Sequence, residues 1–264
     1  MKTTVKDVMD LMELIAPKSL AQKWDNVGLM LGNPEKSVKK IMVALDLSSR
    51  VAEEALEEKV DMIVTHHPVF FKPVTSLAED NAKAAYICAL IKNDIAVFSA
   101  HTNLDAAPGG VNDVLAEKLK LDEVEVLKCG DEDAAGLGRI GILKEPVITK
   151  NFAQKVKRAL GADGVTYADA GQPCYKIAVI GGAGSDFIHE AIYAGADTLV
   201  TGDVKYHVAQ DALNLGLNII DAGHQFSESL IVKRLWEVFT EWSDDDKRNL
   251  EVVMASEEVV LSHI

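Results

Sequence analysis

The stretch Lys40–Thr65, KIMVALDLSSRVAEEALEEKVDMIVT, is answered 136 residues later by Lys176–Thr201, KIAVIGGAGSDFIHEAIYAGADTLVT. Nine of the 26 positions are identical without a gap: Lys40, Ile41, Val43, Ser49, Glu54, Ala55, Asp61, Val64 and Thr65 in the first copy. Each copy runs through the same patterns. A short apolar run (41–45; 177–180) reads as a buried strand. A polar or glycine-rich turn and a segment of helical period follow. A second apolar run (62–65; 198–201) closes the unit. Two short apolar runs around a helical segment make a βαβ unit.

The likeness continues at an offset of 123. Ala96–His101 and Ile219–His224 are both apolar strands ending in a small residue and then histidine. Four residues on stand Asp105 and Glu228. Helical stretches follow at 111–119 and 229–242, then strand-like runs at 124–127 and 251–254. The middle, 129–175, has no counterpart. There Gly138–Leu143 reads as a strand, and Thr149 is placed to cap a helix reaching about Leu160. Helices alternating with apolar strands predict an α/β fold: two similar α/β domains from an internal duplication, residues 1–127 and 128–264. Such domains commonly meet across a cleft that holds a ligand, so the expected site lies between them.

Composition bounds the function. The chain has 264 residues, of which 48% are hydrophobic, enough for a sizeable core and too many for disorder. With 27 basic and 41 acidic residues the net charge is −14, which argues against nucleic acid or an anionic membrane as partner. No apolar run reaches the length of a membrane span. The start, Met1–Asp7, leads into an amphipathic pattern rather than a secretion signal. Cys88, Cys129 and Cys174 are odd in number and widely spaced, so neither a disulfide framework nor a thiolate zinc site is expected. The expected location is the cytoplasm.

The chemistry gathers at strand ends, where open α/β sheets bind ligands. His66-His67-Pro68 follows the second apolar run of the first copy. Adjacent histidines on a continuing strand would face opposite ways, but Pro68 tends to end the strand, and a turning backbone lets both face one site. His101 with Asp105, and His224 with Glu228, are spaced to share a face if each stretch makes a helical turn. Taken singly, the His pair reads as surface or capping use and each His–carboxylate pair as an ordinary hydrogen bond. The recurrence at matching points favours metal ligation. His66, His67, His101, Asp105, His224 and Glu228 are too many for one zinc ion and suit two divalent ions about 3.5–4 Å apart. Imidazole with carboxylate and no thiolate fits zinc, iron, manganese, cobalt or nickel, with the first three the leading candidates. Two such ions, two carboxylates and a bridging hydroxide leave a positive charge for an anionic substrate.

Six motifs in order resemble one family: WDNVGL (24–29), THHPVFF (65–71), SAHTNLDAAPGGVND (99–113), GGAGSD (181–186), TGDVKYH (201–207) and GHQFSE (223–228). They are similar to the NIF-three-like family, also called the GTP cyclohydrolase 1 type 2 family, over nearly the whole chain. The resemblance implies two similar α/β domains, a dinuclear metal site between them, and a toroidal homohexamer with its sites on an internal cavity. Carried over by motif, the ligands are the same six residues. Some relatives hold an inserted domain in the middle, for which 129–175 is too short.

Around the site, Gly181–Asp186 reads either as a phosphate cradle or as a tight turn between strand and helix. Asp203 and His207 read as a general acid/base pair or as groups orienting a ligand, with helix capping by Asp203 as the plainer alternative. Trp24-Asp25-Asn26 reads as near the site or as a turn around a packed Trp. Leu230, Leu235, Val238, Phe239 and Trp242 form a stripe suited to core or subunit interface. The expected function is a dinuclear-metal hydrolase, with activated water attacking a small anionic substrate, nucleotides included. In the cyclohydrolase form that the resemblance implies, water attacks the purine ring of GTP. A metal carrier and an interaction scaffold with structural metals are the alternatives.

Overall fold

The apolar runs become the strands of two sheets. The computed structural model describes residues 2–128, 136–245 and 247–263. The strands are β1 Gly28–Leu31, β2 Lys40–Ala44, β3 Met62–Thr65, β4 Ala96–Ser99, β5 Asp122–Leu127, β6 Gly138–Val147, β7 Thr166–Ala168, β8 Cys174–Val179, β9 Thr198–Thr201, β10 Asn218–Asp221 and β11 Glu251–Met254. The α-helices are α1 Val5–Ile15, α2 Ser49–Glu57, α3 Ala82–Lys92, α4 Thr102–Ala106, α5 Val111–Lys118, α6 Thr149–Leu160, α7 Ile188–Tyr193, α8 Tyr206–Asn214, α9 His224–Glu228 and α10 Leu230–Asp245.

Two compact units result, each built from two stretches of chain. The first is Met1–Leu104 with Ile231–Glu258; the second is Asp105–Leu230 with Val259–Ile264. The sheet of the first runs β1-β4-β3-β2-β11, parallel except for β1. The sheet of the second runs β5-β6-β8-β9-β10-β7, with β8, β9 and β10 parallel and β7 antiparallel to β10. Here β6 runs antiparallel to both β5 and β8. Each unit therefore draws on both halves of the chain. α5 and β5 join the second unit, although they precede residue 128. β11 returns from the far end of the chain to lie against β2. Both are edge strands with largely exposed residues, so their own patterns do not name their neighbours.

The first unit's core strands, β2, β3 and β4, are buried from Ile41, Met62 and Ala96 to their ends, which is why they read as continuous apolar runs. Met42, Ile63 and Val97 pack there with Val51 of α2 and Ile87 and Leu90 of α3. In the second unit Ile177, Val179, Val200 and Ile220 pack against Phe152, Val156 and Leu160, the apolar face of α6. Gly161, in the left-handed region at φ 68°, ends that helix. Thr149 does not cap α6 through its side chain, contrary to expectation. It lies inside the first turn, and its hydroxyl donates to Asp169 instead (3.0 Å).

Several identities shared by the two copies have the same physical use. Asp61 accepts from the backbone of Lys39 and Lys40 (2.7 and 3.1 Å), and Asp197 accepts from Tyr175 and Lys176 (3.0 and 2.7 Å). Each carboxylate thus fixes the start of the neighbouring strand. Lys40 reaches Glu58 (2.6 Å), while Lys176 reaches the carbonyl of Ala194, 136 positions on (2.9 Å).

The amphipathic start is α1, whose Thr4 forms a capping box with Asp7 and whose Val5, Val8 and Met12 are buried. Within the apolar stripe of α10, Leu235 and Phe239 are core residues. No helix among the described residues is long and apolar enough to cross a membrane. Cys88 and Cys174 are free thiols, and Cys129 lies outside the described residues.

Candidate metal centre

In the first unit β3 ends at Thr65, whose hydroxyl donates to the carbonyl of His67 (2.8 Å). The backbone amides of His66 and His67 still bond to Ala44 and Leu45 (3.2 and 2.9 Å) while the chain bends. The bend resolves the problem of adjacent histidines, because the rings of His66 and His67 come within 4.9 Å, centroid to centroid. His101 follows β4, and its ring lies 5.2 and 5.6 Å from theirs. One ligating atom from each of the three lies within 4.8 Å of the others.

The Nδ1 atoms settle which nitrogen can ligate. His66 Nδ1 meets the carbonyl of Ala100 (2.9 Å), His67 Nδ1 meets Asp46 (2.9 Å), and His101 Nδ1 meets Asp25 (3.0 Å). A carbonyl or an ionised carboxylate only accepts, so each Nδ1 carries the proton and each Nε2 presents its lone pair. This arrangement typifies metal-binding histidines, in which a partner at one nitrogen fixes ring and tautomer for ligation by the other. The site therefore fits a divalent ion on its donor chemistry.

In the second unit α4 carries Asp105, so that stretch is a helical turn despite Pro108-Gly109-Gly110 behind it. α9 carries His224 and Glu228, with Nε2 of one 3.1 Å from Oε2 of the other. Carboxylate oxygens of Asp105 and Glu228 lie within 4.8 Å of each other. His224 is anchored in the same way, its Nδ1 meeting Asp203 at 2.7 Å, while its Nε2 faces Glu228. Asp203 does not cap α8, which begins at Tyr206 without a side-chain cap. His207 lies exposed on α8 with its ring against Tyr206, at 5.2 Å between centroids.

The sequence model of Duf34/NIF3 (NGG1p interacting factor 3) matches residues 3–259. This chain belongs to the DUF34/NIF3 family. A Clostridium perfringens relative named GTP cyclohydrolase 1 type 2 homolog is 38% identical over 244 residues, covering 92% of this chain and 93% of its own. A Bacillus subtilis homolog of the same name is 30% identical, with 95% of both chains covered, but its alignment extends over 357 positions. That length fits an insertion in the relative. Among solved structures, the Bacillus cereus protein related to NIF3 has a TM-score of 0.92 at 28% identity, covering 100% of this chain and 99% of its own.

In this DUF34/NIF3 member the glycine-rich loop is a tight turn rather than a phosphate cradle. The amides of Gly181, Gly182 and Gly184 already bond Asn112 (2.8 Å), Ser227 (3.0 Å) and Thr201 (2.9 Å). The loop packs against the site instead. A Cβ on Gly182 would fall 2.2 Å from Oε1 of Glu228 and 3.1 Å from Nε2 of His224.

Of the residues that anchor the histidines, sequence reasoning misses Asp46, whereas it reads Asp203 as orienting a ligand and Asp25 as near the site. Asp25 takes bonds from His101 and from the backbone and hydroxyl of Thr102. Trp24 is 60% exposed, so the turn does not form around a packed Trp. The available signal was an Asp inside or beside a recognisable motif, WDNVGL for Asp25 and TGDVKYH for Asp203.

Burial alone would raise the Asp25 carboxyl, but the hydrogen bonds it accepts from His101 and Thr102 hold it down, from an ordinary 3.8 to about 2. A depressed carboxyl adds stability that is complete above its unfolded value and lost as pH falls through its folded one. The stability difference between wild type and Asp25→Asn should therefore be constant above pH 4 and shrink between pH 4 and about 2. Urea unfolding of the metal-free protein at pH 7, 5, 3 and 2 reads it. A difference unchanged at pH 2 would refute the assignment.

Proposed function

We propose that this chain is a dinuclear-metal hydrolase of small anionic substrates, nucleotides included, with His66, His67, His101, Asp105, His224 and Glu228 as its six ligands. The observation that carries the reading is the Nδ1 of His66, His67 and His101, each held by an acceptor, which directs the three Nε2 atoms to ligation. The donor set suits zinc, iron or manganese, and the chemistry such a pair supplies when bound is Lewis-acid activation of water for hydrolysis. The names of the curated relatives support the nucleotide substrate class and the cyclohydrolase form of the reaction.

The chain's own residues bind and orient. Asp25 and Asp46 each hold one imidazole in its ligating tautomer and Asp203 anchors the ring of His224, so Asp203 is a positioning residue acting through His224. His207 is assigned proton transfer to or from the substrate. His207→Gln should lower turnover about 10²-fold or more while metal content stays unchanged. The two similar α/β halves are read as an internal duplication, and the assembly as a toroidal homohexamer, which analytical ultracentrifugation tests.

The decisive experiment is elemental analysis of tag-free protein prepared without chelators, beside a His101→Ala/His224→Ala double variant, followed by nucleotide and phosphoester turnover assays. The expected result is about two ions per chain, lost in the variant together with hydrolysis. Two exchangeable ions without turnover of any nucleotide or phosphoester would favour the carrier. No metal after loading with zinc, manganese and iron would overturn the reading.

A further inference from the structure

Two exposed aromatic rings close on one imidazole of the first unit. Trp24 meets His101 edge-on at 6.0 Å between centroids, and Phe71 meets it edge-on at 5.5 Å. Trp24 is 60% exposed and Phe71 53%. A single exposed ring needs no explanation, but two rings converging from chain segments far apart in sequence do.

The chain segments that carry them are tied together. Asp25, beside Trp24, is fastened by His101 and Thr102. Asn26 donates through Nδ2 to the carbonyl of Phe70 at 2.6 Å, tying the turn that carries Trp24 to the segment that carries Phe71. Each ring also has a lysine as its chain neighbour, Lys23 and Lys72. Both lysines are exposed, in a chain of net charge −14. Exposed aromatic surface on segments tied together, beside a candidate ligand for the ions, matches a ligand that carries a planar ring next to its reacting anion, with part of the ordering cost already met by the fold.

We infer that Trp24 and Phe71 form a platform beside His101 that takes the planar heteroaromatic ring of an anionic ligand. The inference deepens the hydrolase reading, on which it rests for the role of His101, by naming a ring as part of the substrate class.

The test compares adenosine monophosphate with ribose 5-phosphate, the same anion without the ring, by calorimetric titration of the metal-loaded full chain. Wild type should bind the nucleotide at least about tenfold more tightly, a difference of about 1.4 kcal/mol. Trp24→Leu and Phe71→Leu should each lose most of that advantage while keeping their affinity for ribose 5-phosphate. Trp24→Phe should retain it, which separates loss of the ring from loss of the fold, and elemental analysis checks that each variant holds its metal. Equal affinities in wild type, or an advantage that survives in both Leu variants, would overturn the platform. The hydrolase reading fails separately, because ring preference without any turnover would sink it and leave the platform standing.

Discussion

Arg139→Met is expected to destabilise the protein by about 3 kcal/mol, at the lower end of what breaking a buried ion pair costs. The Arg139 side chain is 4% exposed, and among the described residues its bonds lie within the second unit. Its Nε donates to Asp113, its Nη1 to the carbonyl of Gly138 (3.0 Å), and its Nη2 to the carbonyls of Ala106 and Ala107 (3.0 and 3.1 Å). Methionine fills much of the same volume but satisfies none of these acceptors. Asp113 is 29% exposed, so water can take over part of its solvation, which keeps the figure from the top of the range. The carbonyls cannot all be rescued that way. They belong to the turn that follows Asp105, so the same variant should also weaken metal binding, read by competition with a chromogenic chelator. A urea midpoint shift worth less than about 1 kcal/mol would show that the guanidinium is not the clamp of this turn.

The sequence exposed the parts of this molecule that repeat or alternate, and hid the parts that depend on a distant partner. β2, β3, β8 and β9 were legible because buried parallel strands leave unbroken apolar runs. The six candidate ligands were legible because all lie at or just after strand ends, four of them in a recurring His-x-x-x-acid spacing and two as the pair His66-His67. Sheet membership at the edges was not legible. β5 and β11 close their respective halves in the sequence, yet β5 pairs with β6 and β11 with β2. Neither pattern names a partner, since an edge strand with one half-buried face fits any open edge of the right polarity. Which histidine each aspartate anchors was hidden for a related reason. Asp25 stands 76 residues from His101, and Asp46 and Asp203 each stand 21 from their histidines. An aspartate in a turn is so common that only the folded position gives it meaning. The glycine loop left two readings open, because glycines after a strand serve close packing as readily as phosphate binding, and the fold selects the tight turn, with the amides taken by side chains.

That packing leads to the most site-specific expectation, Gly182→Ala. Two effects add. Gly182 sits at φ 62°, where an alanine costs roughly 1–2 kcal/mol. Its new Cβ would also stand 2.2 Å from Oε1 of Glu228, a distance no real contact tolerates. The side chain of Glu228 is 4% exposed, so it cannot swing into solvent, and the clash adds about 1–3 kcal/mol of overpacking strain. Gly161 supplies the control. It has φ 68°, but a Cβ there meets nothing within 4 Å. Gly161→Ala should therefore show the conformational part alone, and the excess loss in Gly182→Ala measures the clash with the carboxylate. Relief of that clash must move Glu228 away from Nε2 of His224, now at 3.1 Å. Gly182→Ala should accordingly lose metal, whereas Gly161→Ala should keep its full content. Equal destabilisation of the two variants, with metal retained in both, would mean that Glu228 relaxes freely and that the glycine loop does not set its position.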